Sequence, residues 1–109
     1  MQTVVELPQF TRLARPLLVE REIFSLINYL AANPQAGDII EGTGGVRKLR
    51  WAREGMGKRG GVRVIYYFHS KRMPLYLLTL FAKNENCDLT MSERKALSAL
   101  AERLIAASE

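Results

Sequence analysis

One hundred and nine residues with 48% apolar content are enough for one compact domain, too few for two, and unlike a disordered chain. A lone cysteine (Cys87) and a lone histidine (His69) exclude a disulfide framework and a Cys/His zinc site. No apolar run approaches the roughly 18 residues of a membrane span, Met1 to Pro8 carries no signal-peptide pattern, and the net charge of +5 favours an anionic partner; a cytoplasmic protein is the simplest reading.

Thr3 to Leu7 is short and β-leaning, and Pro8 stops it. From Gln9 to Leu18 the apolar residues Phe10, Leu13, Ala14, Leu17 and Leu18 fall at helical spacing, with a break expected at Pro16. A second helix is predicted over Val19 to Ala32, carried by Ile23, Phe24, Ile27, Leu30 and Ala31 and ended by Asn33-Pro34. All eight glycines lie between Gly37 and Gly61, so this middle region is expected to be rich in loops. Within it, Val46 to Ala52 reads as a strand and Glu54 to Gly61 as a connection. Val62 to His69 is β-branched and aromatic without a breaker, which predicts a second strand. After a turn at Ser70 to Pro74, the almost wholly apolar Leu75 to Ala82 suits a strand buried on both faces. Thr90-Met91-Ser92-Glu93 has the form of a capping box, opening a last helix with Leu97, Leu100, Ala101, Leu104 and Ile105 on one face. The order β-α-α-β-β-β-α predicts a small α+β domain, its antiparallel meander packed by helices from both ends of the chain, as one domain over residues 1–109.

The charge is not spread evenly. Between Gly45 and Arg63 stand Arg47, Lys48, Arg50, Arg53, Lys58, Arg59 and Arg63, opposed only by Glu54. The rest of the chain is net negative by one, so all of the excess positive charge sits on two expected strands and their connection, the footprint of a polyanion site. Alternation puts Leu49 and Trp51 on one side of the first strand and Lys48 and Arg50 on the other. An ordinary solvated strand face would explain that pair alone. Arg63 is harder to explain in that way, because it opens an otherwise apolar run. In a meander, Lys83 could approach Arg63 from the third strand, so that Lys48, Arg50, Lys58, Arg63 and Lys83 converge on one concave face. Like charges gathered in that way repel unless an anion neutralises them. Tyr66 and Tyr67 point to opposite sides. One is expected in the core, while the other, by parity Tyr67 on the side of Arg63, could stack a base or bond a phosphate.

Other candidates are weaker. Glu54 to Gly61 resembles a phosphate-binding loop in composition only: no Ser or Thr follows Lys58, and no helix follows the loop. A hairpin carrying Lys58 and Arg59 toward a polyanion fits better. His69 reads as a turn residue, and Cys87 has no histidine partner in reach for nucleophilic work.

Three segments together resemble one family. They are Gly42-Thr43-Gly44-Gly45-Val46-Arg47-Lys48-Leu49-Arg50, Gly57-Lys58-Arg59-Gly60-Gly61-Val62-Arg63-Val64-Ile65-Tyr66-Tyr67-Phe68, and Leu77-Leu78-Thr79-Leu80-Phe81-Ala82-Lys83-Asn84-Glu85 followed by Asp88-Leu89-Thr90. Over nearly its whole length the chain resembles the RelE-superfamily toxins of type II toxin-antitoxin systems, most closely the HigB-like branch. The resemblance implies a ribosome-dependent mRNA endonuclease, an mRNA interferase and translation inhibitor, without metal or small-molecule cofactor. It also implies a helix-turn-helix antitoxin of the HigA type as partner. On that resemblance Arg63, Lys83, Lys48 and Arg50 are the catalytic candidates and Asn84 an RNA contact; the charge and parity of the residues themselves add Arg47, Lys58, Arg59 and Tyr67 as RNA contacts. The founding members carry an arginine where Asn84 stands, and Thr90, here an expected N-cap, lies near the position of their catalytic tyrosine. There are two rival functions: a gyrase-directed toxin of the ParE type, which shares the fold but against which the dense basic set on the central strands argues, and a non-catalytic nucleic-acid-binding module, which would explain the charge.

Overall fold

The computed structural model describes residues 1–53, 57–82 and 89–108, with side chains except at 53 and 57–60. Among the described residues eight elements follow one another: β1 (Val4–Glu6), α1 (Pro8–Ala14), α2 (Glu20–Ala32), β2 (Asp38–Ile39), β3 (Val46–Arg53), β4 (Gly57–Tyr67), β5 (Leu75–Ala82) and α3 (Met91–Ser108). The strands form one sheet in the order β1-β5-β4-β3-β2. Among the described strands β1 runs parallel to its neighbour and the other pairs are antiparallel. The α+β class, the meander and the helices from both chain ends are as expected.

The main differences lie in the sheet. β4 begins at Gly57, not Val62, so the glycine-rich stretch read as a connection is largely strand. Its ladder to β3 reaches Arg53↔Gly57 after a register shift between Trp51 and Arg53. Cross-strand pairing outweighs the poor intrinsic β-propensity of glycine there. The second difference is β2, two residues that pair with Arg47 and Lys48 and are too short to leave a periodic signal.

Apolar alternation divides the core by face. Phe10, Leu26 and Leu30 of the first two helices pack on Val62, Val64 and Tyr66, and Leu49 and Trp51 join that side. Ile65, Tyr67 and Leu78 lie on the opposite side beneath Ala101, with Leu97, Leu100 and Leu104 of α3 around them. β5, covered on both sides, is apolar along most of its length. The start of α3 is fixed by the expected capping box: the Glu93 N–H donates to Thr90 Oγ1 at 3.0 Å and the Thr90 N–H to Glu93 Oε1 at 2.8 Å.

The passage from α2 to β3 is pinned from beneath. The Tyr66 hydroxyl accepts from the Gly37 N–H at 2.8 Å and donates to the Pro34 carbonyl at 2.9 Å. Gly37 has no room for a side chain, since a Cβ would stand 2.8 Å from Tyr66 Cε1 and 2.9 Å from the Lys48 carbonyl oxygen. Beyond β2, the buried Thr43 hydroxyl donates to the Ile40 carbonyl at 2.6 Å and accepts from the Val46 N–H at 3.1 Å. These bonds set β2 beside β3 and open a recess between β2, β3 and the start of α3.

Candidate functional site

Arg50 and Arg63 are direct cross-strand partners in the β3–β4 ladder. Partners in a ladder share a face, and the next pair along that face is Lys48 with Ile65. Ile65 is fully buried in the α3-side core, whereas Lys48 and Arg63 are half-buried and Arg50 is exposed. Three cations thus follow the apolar α3-side core along the sheet. The expected sidedness of the first strand holds: Leu49 and Trp51 face the α1–α2 core and Lys48 and Arg50 the other way.

Beside this strip lies a recess of about 510 Å³. Lys48 and Arg50 line it from β3, Asp38 and Ile39 from β2, Ile40 and Glu41 from the following turn, and Arg94 from α3. The Arg94 Nη1 donates to the Glu41 carbonyl at 3.1 Å, tying the first turn of α3 to that turn. Arg94 was not among the residues singled out in the sequence. A signal was present: a cation follows directly on a capping box, in the helical turn where the backbone dipole favours an acid.

Arg47 is displaced from the set. It is held on the α1–α2 side, where its Nη1 donates to the carbonyls of Gln35 at 3.2 Å and Gly37 at 2.7 Å. There it braces the α2–β2 loop, on the other sheet face from Lys48 and Arg50. Tyr67 lies in the α3-side core. It shares the face of Arg63, as parity requires, but only 3% of it is exposed, so α3-side packing leaves no ring face for a base. Its hydroxyl lies 3.2 Å from Nδ1 of the exposed turn residue His69. Both tyrosines are core residues, and burial pushes both phenols above their ordinary value. Lys58 and Arg59 lie on β4 and not on a loop, and their side chains are outside the described residues. Lys83, Asn84 and Cys87 are wholly outside them, and so is the expected approach of Lys83 to Arg63.

Among the described residues no group of three His, Cys, Asp or Glu side chains is placed to hold a metal. What the strip offers is guanidinium and ammonium donors at fixed spacing, which suits phosphate oxygens and developing negative charge. Residues 4–109 match the family described as the RelE toxin of the RelE / RelB toxin-antitoxin system. The chain belongs to the RelE toxin family. It is thereby the toxin of a toxin-antitoxin pair, with an antitoxin as its partner. RelE toxins are generally translation-inhibiting mRNA endonucleases, and in this RelE toxin the cationic strip lies on the sheet face that carries α3. No described helix is long and apolar enough to cross a membrane.

Proposed function

We propose that this toxin belongs to the HigB-like branch and is a ribosome-dependent endoribonuclease that cuts messenger RNA in the cytoplasm. The observation that carries the reading is the Arg50–Arg63 pair with Lys48 beside it on one sheet face. Two guanidinium groups opposed across a ladder favour a ligand that brings negative charge between them. A phosphodiester passing to a phosphorane gains such charge in the transition state, so the pair would bind that state more tightly than the substrate.

The chemistry needs no metal. The 2′-hydroxyl oxygen attacks the adjacent phosphorus as its proton passes to a base. The bond from phosphorus to the 5′-oxygen breaks, and that oxygen takes up a proton. The products are a 2′,3′-cyclic phosphate and a 5′-hydroxyl end. Arg63 clamps the scissile phosphate, with Arg50 opposite. Lys48 or Lys83 handles the proton as the general base or acid. Lys58, Arg59 and Asn84 extend the grip along the RNA, and a helix-turn-helix antitoxin of the HigA type neutralises the toxin.

Induction in cells followed by primer extension tests this function. Cuts confined to translated regions are expected, and their loss in Arg63→Ala. Growth arrest without such cuts would favour gyrase inhibition or simple nucleic-acid binding instead.

A further inference from the structure

Arg94 sits at an odd place for a cation. It occupies the first turn of α3, directly after the Thr90–Glu93 capping box. There the unsatisfied backbone N–H groups favour negative charge and oppose positive charge. It also continues the sheet-facing stripe of α3. Helical spacing runs back from Ala101 and Leu97 to Arg94, so a position that would otherwise take an apolar residue carries a guanidinium. The side chain is half-buried, and it lines the same recess as Lys48 and Arg50. Asp38 and Glu41 line that recess too, so its lining is net positive by one and not a uniform basic patch. A lining of that kind suits one phosphate held in place more than diffuse attraction to a polyanion.

We infer that Arg94 is a substrate-positioning residue, the α3-borne wall of the RNA site, which holds a backbone phosphate neighbouring the scissile one while Lys48 and Arg50 face it from β3. The inference rests on the nuclease reading and adds a residue to it. The Arg94 bond to the Glu41 carbonyl ties this lining residue of the recess to the turn after β2.

The test is single-turnover cleavage of one defined message on purified, programmed ribosomes, with toxin concentration and potassium chloride both varied. Arg94→Gln is expected to raise the half-saturating toxin concentration about tenfold while the maximal rate stays near that of the wild type. The logarithm of that concentration should also rise less steeply with the logarithm of salt, by roughly 0.7 for one single-strand phosphate that the variant no longer neutralises. Arg94→Lys should keep the wild-type salt slope, since it keeps the charge. An Arg94→Gln variant with lowered melting temperature and unchanged salt slope would overturn the inference and leave Arg94 a purely structural tie. If the wild type cuts no ribosome-bound message, the nuclease reading falls, and this inference with it. If the wild type cuts and Arg94→Gln cuts with equal affinity and slope, only the role of Arg94 falls.

Discussion

Arg50 on β3 and Arg63 on β4 face each other directly across the ladder, on the sheet side that carries α3. Like charges so placed destabilise a sheet by about 0.2–1 kcal/mol. A binding site can carry such a penalty when the ligand relieves it. Replacing one partner should therefore stabilise the free toxin. Arg50→Gln is expected to raise the melting temperature by about 1–5 °C at low ionic strength. The gain should shrink as salt screens the wild-type repulsion. Thermal unfolding of both proteins at two salt concentrations checks it.

The Tyr66 hydroxyl serves two backbone groups at once, the Gly37 N–H and the Pro34 carbonyl. Tyr66→Phe leaves both without that partner inside the fold, a loss of about 1–3 kcal/mol. Gly37→Ala should lose a similar amount for a different reason, because its Cβ would meet the Tyr66 ring and the Lys48 carbonyl. Denaturant midpoints measure both. Since the two changes act on one contact, their effects in the double variant should not add.

Tyr66 and Tyr67 also set an alkaline limit. Burial pushes both phenols above the ordinary 10.0, the Gly37 N–H and the Arg47 charge opposing the shift at Tyr66 only in part. In the unfolded chain these groups lose their protons first as pH rises, so deprotonation favours unfolding. Their contribution is fully present below pH 10 and is lost as pH climbs through the raised folded values. Stability should decline on the alkaline side of pH 10, with a shallower decline in Tyr66→Phe. Urea unfolding across that range reads the slope.

The resemblance alone sets Thr90 near a tyrosine of the founding members; in the fold its hydroxyl accepts from the Glu93 N–H. Thr90→Ala should destabilise the toxin by about 1 kcal/mol through loss of the cap, and Thr90→Ser should recover most of it. Cleavage by folded Thr90→Ala should match the wild type. A hundredfold loss in that variant would instead make Thr90 part of the chemistry.

Strands β1, β3 and β5 and the cap were legible because each has a local cause. Alternation placed Lys48 and Arg50 opposite Leu49 and Trp51, and the pair Thr90 and Glu93 marked the start of α3. Side-chain destinations set by tertiary contacts were not legible. Tyr67 has the parity of Arg63, but whether a sheet face is open or roofed depends on where α3 lies. Arg47 belonged to the basic run by composition, and its task comes from carbonyls ten and twelve residues earlier. β4 reaches back to Gly57 because a neighbouring strand pairs with it, which glycine content argues against. Arg94 joined the recess only when α3 was laid against β2 and β3.

The proposed cleavage of messenger RNA by the cationic strip on the α3 face is open to a direct test. The most direct measurement is the single-turnover rate of message cleavage on purified programmed ribosomes, wild type against Arg63→Ala, with folding verified by thermal unfolding. Removing the clamp on the developing phosphorane should lower the maximal rate about 10²-fold or more. An Arg63→Ala protein that folds and cuts at the wild-type rate would contradict the claim.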